Sequence, residues 1–270
     1  MIVFPNAKIN IGLQVLHKRP DGFHELATIF YPIPLQDGLE AIAHPTGETI
    51  IHQSGLTLDT APEENICYKA WQLLRQDFPE LPTVRVHLHK AIPSGAGLGG
   101  GSADGAFMLR LLNTKFRLGL ADEQLATYAL RLGSDCPFFI LNSACHATGR
   151  GEILEPLELN LASYRLVLVN PGIHVPTGWA FGQLTPAAAR VDLREAIKRP
   201  MAEWKEVIAN DFEAAVFKAH PAIGAIREEL YRQGAVYASM SGSGSTVYGF
   251  FEAGADPQLD FPPSYFVRQI

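Results

Sequence analysis

The sequence predicts an α+β protein with two lobes, and three observations carry that expectation. Strand-like alternation and helical spacing succeed one another without a regular strand–helix–strand repeat. A glycine-rich run at residues 93–103 sits directly between a strand pattern and a helix pattern. The chain has 270 residues, which at about 100–200 residues per domain gives one large domain or two modest ones. With 47% hydrophobic and 19% charged residues it can bury a core, and disorder is excluded.

Ala7, Ile9, Ile11, Leu13 and Val15 alternate with mostly polar or small neighbours. This predicts a half-buried strand with Lys8 and Asn10 on its other face. Leu26 to Ile33 and Leu39 to Ala43 are further strand candidates. Ile66, Ala70, Leu73 and Leu74 fall at helical spacing and predict a helix over Asn65 to Phe78. Val84, Val86 and Leu88 alternate again, and their strand leads into the glycine run. Helices are expected over Asp104 to Leu112 and Asp122 to Leu132, the second ended by Gly133 as a left-handed residue.

Glu152 to Ser163 reads as a crossing between domains, with a boundary near 155: residues 1–155 form an N-terminal domain and residues 156–270 a C-terminal one. Arg165 to Asn170 predicts a strand, and Pro186 to Pro200 holds a short helical stretch. Trp204 to Ala219 and Pro221 to Gln233 predict helices, and Ala235 to Ser239, Thr246 to Phe251 and Tyr265 to Gln269 predict strands.

A net charge of -6 gives no reason to expect nucleic acid or an anionic membrane as the main partner. Three cysteines, an odd count with no CxxC pair, argue against a disulfide framework and fit a reducing compartment. No signal-peptide pattern opens the chain, and no apolar run approaches the ~18 residues of a membrane helix. A cytoplasmic protein is expected.

The strongest local signal is Pro93-Ser94-Gly95-Ala96-Gly97-Leu98-Gly99-Gly100-Gly101-Ser102-Ala103. Glycines let successive amides turn toward a ligand, and Ser102 stands at the head of a helix, where unpaired amides and the helix dipole favour an anion. Strand, glycine loop and helix N-terminus together make a phosphate cradle. The run also contains Gly95-x-Gly97-x-x-Gly100, but the acid that a dinucleotide fold places about 20 residues on is replaced here by the helix start at Asp122 and Glu123. A Walker A loop fails because no lysine follows the glycines. A tight turn without a ligand would hold five glycines in order at up to ~1 kcal/mol each.

Asp135, between Gly133 and Pro137, precedes the apolar run Phe138 to Leu141 and is either a general base or a turn cap. Lys8 is either an exposed strand lysine or a cation with an anionic partner; beside Asp135 it would polarise an acceptor oxygen. Met240 to Thr246 is either a hairpin connection or a second source of amides and hydroxyls for phosphate. His87 and His89 share a strand face, which fits a solvated surface better than a zinc site lacking a third ligand. Trp71, Trp179 and Trp204 read as core or lobe-contact residues, and Trp179, near Phe181 in sequence, is alternatively part of a substrate pocket.

These motifs come in a familiar order. Pro93 to Ala103 and Ser241 to Thr246 resemble the glycine motifs of the galactokinase, homoserine kinase, mevalonate kinase and phosphomevalonate kinase superfamily, many members of which open with a segment like Ala7 to Gly12. Arg19 to Glu25, Asp135 to Phe139, Gly149 to Glu152 and Asn210 to Glu213 are similar to the branch whose acceptor is a cytidine-diphosphate-bearing sugar alcohol of the non-mevalonate isoprenoid route. The similarity runs from Lys8 to about Phe251.

The resemblance implies an ATP-binding N-terminal lobe, a C-terminal α/β sandwich lobe and a cytidine substrate held between them, with ATP and Mg2+ required. It implies Lys8 and Asp135 as the catalytic pair and Asn10 near the acceptor hydroxyl and phosphates. His24 would read cytosine, Phe23 and Phe181 would sandwich it, and Asn65 and Lys90 would stand near the nucleotide donor. Another kinase of the superfamily and a non-enzymatic binding protein on the same fold remain as alternatives. Three positions depart from the branch: Phe23 for the usual tyrosine, Ala103 for a second serine, and Cys136 for valine. The first removes a hydroxyl, the second leaves a phosphate or magnesium contact open, and the third reads as packing.

Overall fold

The computed structural model describes residues 1–44, 47–57 and 61–270. In chain order the elements are β1 (Ile2–Val3), β2 (Asn6–Lys18), β3 (His24–Gln36), β4 (Gly38–Ala43), β5 (Ile50–Gly55), α1 (Ile66–Asp77), β6 (Val84–Lys90), α2 (Gly100–Phe116), α3 (Asp122–Leu132), α4 (Cys136–Leu141), β7 (Cys145–Gly149), β8 (Ile153–Pro156), β9 (Tyr164–Asn170), α5 (Thr177–Gly182), α6 (Leu193–Ala196), α7 (Trp204–Val207), α8 (Glu213–Ala219), α9 (Pro221–Arg232), β10 (Tyr237–Met240), β11 (Val247–Glu252) and β12 (Phe266–Gln269). The class is α+β. The chain packs as two compact units interleaved in sequence: residues 1–8, 32–94 and 99–143 form one, and residues 9–31, 95–98 and 144–270 the other. A single cut at 155 divides the chain differently, since residues 9–31, 95–98 and 144–155 precede it yet belong to the second unit.

In the first unit a sheet runs in the order β1-β4-β6-β5, with β6 antiparallel to β4 and parallel to β5. The alternation of β6 decides which face is covered: Val84, Val86 and Leu88 are buried, while Arg85, His87 and His89 are exposed. Helix α1 begins at Asn65, whose side-chain oxygen accepts the Cys67 amide at 2.9 Å and so caps the first turn. Its buried stripe, Cys67, Ala70, Trp71 and Leu74, faces α2, which is buried along Ala103, Ala106, Leu109 and Leu112.

In the second unit, one sheet has the order β2-β3-β7-β8 and another, wholly antiparallel, β10-β11-β9-β12. Helix α9 lies on β10 and β11, and Val167, Val169, Val216, Ile223, Ile226, Leu230, Val247 and Phe251 form the core there. Each such side chain withdrawn from water contributes about 1.5–3 kcal/mol.

The structure corrects several expectations. Strand β2 is buried on both faces from Asn6 to Val15, because Lys8 and Asn10 are each covered by glycine-loop residues. The helix expected over Trp204 to Ala219 is broken into α7 and α8. Between them Leu13 donates to the Ala209 carbonyl at 3.0 Å and the Asp211 amide to the Leu13 carbonyl at 2.8 Å, so the backbone bonds go to β2 and not to a continuing helix. Gly133 ends α3 in extended backbone, at φ 172, not in the left-handed region. The stretch 152–163 contains β8, paired with β7. Strands β5 and β7 escaped the sequence reading because only Ile51 of β5 is fully buried and β7 is built of small or polar residues. Among the described residues no helix is long and apolar enough to cross a membrane.

Candidate active site

The first unit brings three sequence candidates together. Lys8 is buried in β2, and its ammonium lies 3.3 Å from Asp135 Oδ2. Asp135 occupies the position before α4, but its side chain caps nothing and is 34% exposed, so the capping alternative fails and the carboxylate reaches solvent. The Lys8 stem runs under the head of α2: a Cβ on Gly99 would stand 3.1 Å from Lys8 Cε and 2.9 Å from the ring of Phe139. Gly99 itself takes the left-handed conformation, φ 69, that glycine adopts freely. It offers no side-chain cap, so the first amides of the 17-residue helix α2 stay open beside the ion pair. Ala103 is wholly buried and brings no oxygen to this place. Cys136 is buried as packing, its thiol pushed up to about 12 by burial.

Lys90 is not open to a ligand through its side chain. Its buried ammonium pairs with Asp104 at 2.7 Å and with Asp37, and Asp37 Oδ1 also accepts the Ala91 and Ile92 amides at 2.6 and 2.9 Å. The cluster ties the end of β6 to α2: a Cβ on Gly100 would meet Ile92 at 2.8 Å and Lys90 Nζ at 3.5 Å. Burial raises the Asp104 carboxyl to about 7; attraction to Lys90 opposes the rise and the charge of Asp37 adds to it. Its buried Oδ1 has no hydrogen-bond partner, which leaves a place for a proton without loss of the Lys90 pair.

This proton has a measurable consequence. The ordinary value is 3.8, so between there and about 7 the folded protein binds more protons at Asp104 than the unfolded chain. The resulting stability is complete below the lower value and is lost as pH rises through the upper one. Asp104→Asn mimics the neutral form. From pH 5 to 8 the urea midpoint of the wild type should fall relative to that of the variant; parallel curves would show that Asp104 does not titrate there.

The second unit holds the remaining candidates. Asn10 is buried in β2; its amide donates to Ser241 Oγ at 3.1 Å, and its side-chain nitrogen donates to Thr28 at 3.0 Å. Ser241 Oγ donates to the Gly97 carbonyl at 2.7 Å, and the Thr246 amide donates to the Ala96 carbonyl at 3.1 Å. The loop between β10 and β11 is thus a hairpin connection, and it grips residues 95–98 of the glycine-rich run. His24 stacks on Phe181 with ring centroids 4.8 Å apart and planes 13° apart, and Phe212 meets Phe181 edge-on at 4.9 Å. Phe23 is exposed, with the Arg150 guanidinium 4.4 Å from its ring centre. Trp179 packs against the core and meets His220 edge-on. In the first unit His87 and His89 are exposed and share Ser54 Oγ at 2.9 Å each, and no cluster suited to a metal occurs among the described residues.

Sequence reasoning assigned no role to Asp37, Asp104 or Arg150 and singled out Asn210 to Glu213 only as a motif. Asp37 sits in an Asp-Gly turn and Asp104 in a helix, with no local sign of a buried partner.

A glycine-cradled helix N-terminus beside a lysine–aspartate pair is the equipment of a phosphotransferase that acts on small alcohols. Residues 65–143 match the family GHMP kinases N terminal domain, and residues 192–261 match GHMP kinases C terminal. The chain is 51% identical to the 4-diphosphocytidyl-2-C-methyl-D-erythritol kinase of Bacteroides thetaiotaomicron over 98% of both chains. It is 54% identical to the Bacteroides fragilis kinase of the same name over 93% of this chain and 92% of that one. A crystal structure of 4-(cytidine 5'-diphospho)-2C-methyl-D-erythritol kinase superposes with TM-score 0.78 at 31% identity, covering 92% of this chain and 89% of that one. The mevalonate kinase of Methanococcus jannaschii, at 12% identity and TM-score 0.73, shares the fold; it covers 100% of this chain and 97% of that one. The chain belongs to the GHMP kinases, within the family of the 4-diphosphocytidyl-2-C-methyl-D-erythritol kinases, and is an ATP-dependent phosphotransferase.

Proposed function

We infer that the protein transfers the terminal phosphate of ATP to the 2-hydroxyl of 4-diphosphocytidyl-2-C-methyl-D-erythritol, in the cytoplasm, as a step of isoprenoid precursor synthesis outside the mevalonate route. One observation carries the choice of acceptor beyond the likeness to relatives, namely the parallel stack of His24 on Phe181. A pyrimidine hydrogen-bonded edge-on to His24 shares the plane of the imidazole. At 13° between planes, such a base lies flat against the Phe181 ring. Acceptors without a base, such as mevalonate, homoserine or galactose, have no use for this pair. Phe23, backed by Arg150, supplies the second aromatic surface.

The donor phosphates take the amides of residues 93–103, above all the open first turn of α2. Asp135 accepts the proton of the acceptor hydroxyl as its O–H bond breaks. The oxygen bonds to the γ-phosphorus, the bond to the bridging oxygen of the anhydride breaks, and ADP leaves. Lys8 orients the Asp135 carboxylate and faces the charge that develops beside it. Asn10 contributes near the acceptor hydroxyl. Asn65 and Lys90 act through the chain they anchor, because the side chain of one is engaged as a cap and that of the other by two carboxylates. Magnesium would offset the charge of the β- and γ-phosphates when bound. With no cluster suited to a metal among the described residues, the nucleotide phosphates would supply most of its oxygens, and the Ser102 hydroxyl at the head of α2 would add one.

The test is ADP release with magnesium and ATP, offered the cytidine compound, mevalonate, homoserine and galactose in turn. Turnover with the cytidine compound alone is expected. Turnover with another acceptor would keep the kinase and discard the cytosine pocket, and none with any would leave a binding protein on a kinase fold.

A further inference from the structure

Apart from Phe212, which meets Phe181 edge-on, the segment Asn210-Asp211-Phe212-Glu213 touches no residue placed in the proposed chemistry, yet its polar groups are fully committed. Buried Asn210 donates one amide hydrogen to the Met240 carbonyl at 2.7 Å and the other to the Gly242 carbonyl at 2.8 Å, while its oxygen accepts the Phe212 amide at 3.0 Å. Glu213 Oε1 accepts Ser239 Oγ at 2.8 Å and the Met240 amide at 2.7 Å, and Oε2 accepts Arg227 at 2.7 Å. The segment is fixed to β2 in turn, since the Val15 amide donates to Asp211 Oδ2 at 2.8 Å. Every one of these bonds to β10 and its loop falls on residues 239–242. From there Ser241 Oγ reaches the Gly97 carbonyl at 2.7 Å. A Cβ on Gly97 would stand 2.0 Å from the Ser241 carbonyl oxygen, so the two loops pack backbone on backbone with no side chain between.

We propose that Asn210, supported by Glu213, is a positioning residue for the donor phosphates: it sets the height of the Ser241–Thr246 loop and thereby the place of residues 95–98. The proposal rests on the reading that residues 93–103 hold those phosphates. The chemistry explains why asparagine stands here. Two carbonyl oxygens and one amide converge on a single side chain, and only a primary amide offers two donors and an acceptor in that arrangement. Aspartate would set an acceptor against two carbonyls.

The experiment compares Asn210→Ser, Ser241→Ala, their double variant and Gly97→Ala in the full chain. It reads the Kd of a non-hydrolysable ATP analogue and the KM of each substrate, with the thermal midpoint as a check on folding. Loss of two buried hydrogen bonds should weaken the analogue roughly 10-fold or more in Asn210→Ser. The KM of the acceptor should move by less than about 3-fold. The double variant should lose less than the product of the two singles, because both act through Gly97. Equal loss of both substrates, or multiplying losses, would reduce Asn210 to a structural residue and overturn the proposal. Analogue binding unchanged in Gly97→Ala would overturn the reading of the phosphate loop and the proposal with it; weakened binding in Gly97→Ala beside normal binding in Asn210→Ser would overturn the proposal alone.

Discussion

Asp135→Asn should lower turnover by roughly 10²–10⁴, the range for loss of a general base, while the KM of ATP and of the acceptor changes little. The amide keeps the volume and a polar contact for Lys8, 3.3 Å away in the parent, but it no longer accepts a proton from an alcohol. The effect belongs in kcat because proton removal accompanies transfer and does not precede binding. The position tolerates the exchange: the side chain is 34% exposed and caps no helix. A variant with near-normal turnover and unchanged folding would take the base role away from Asp135. A loss confined to KM would make it a binding residue.

Gly97→Ala should reduce kcat/KM for ATP by roughly 10² or more, the cost associated with a misplacement of about 1 Å at a reacting centre. Two penalties coincide. Gly97 has φ +79, a region that costs an alanine about 1–2 kcal/mol. Its new Cβ would also lie 2.0 Å from the Ser241 carbonyl oxygen and 2.9 Å from its carbon. These are backbone atoms of a residue held by its amide on the Thr246 carbonyl, by its hydroxyl under the Asn10 amide and, one peptide further, by Asn210, so they cannot swing aside as a side-chain end would. The strain must open the contact between the two glycine loops. Gly254→Ala is the control, since a Cβ there meets nothing within 4 Å. Equal kinetics for the two variants would mean that residues 95–98 do not place the phosphates.

Part of this was legible along the chain. The alternation of Val84, Val86 and Leu88 located β6 and its covered face, and helical spacing placed α3 at Asp122–Leu132. The glycine run announced a turn leading into the head of α2, because backbone freedom followed by a helix start is a local property. The break between α7 and α8 was not legible: its apolar spacing suits one helix, and hydrogen bonds from β2 override it. The two readings of Lys8 and of Asp135 stayed open for the same reason, since burial and partnership depend on what packs over a residue.

By itself, then, the sequence determined the class of fold, the place of the glycine-rich run before α2 and, through resemblance, the family, because periodicity, glycine content and motif order are written in consecutive residues. Only the tertiary structure decided that Lys8 is buried against Asp135, that Lys90 is enclosed by Asp37 and Asp104, that His24 lies flat on Phe181, and that Asn210 holds the loop which holds Gly97. Each of these joins groups distant in the chain. A charge or amide removed from water must find a partner wherever folding brings one, and local spacing carries no record of which partner that will be.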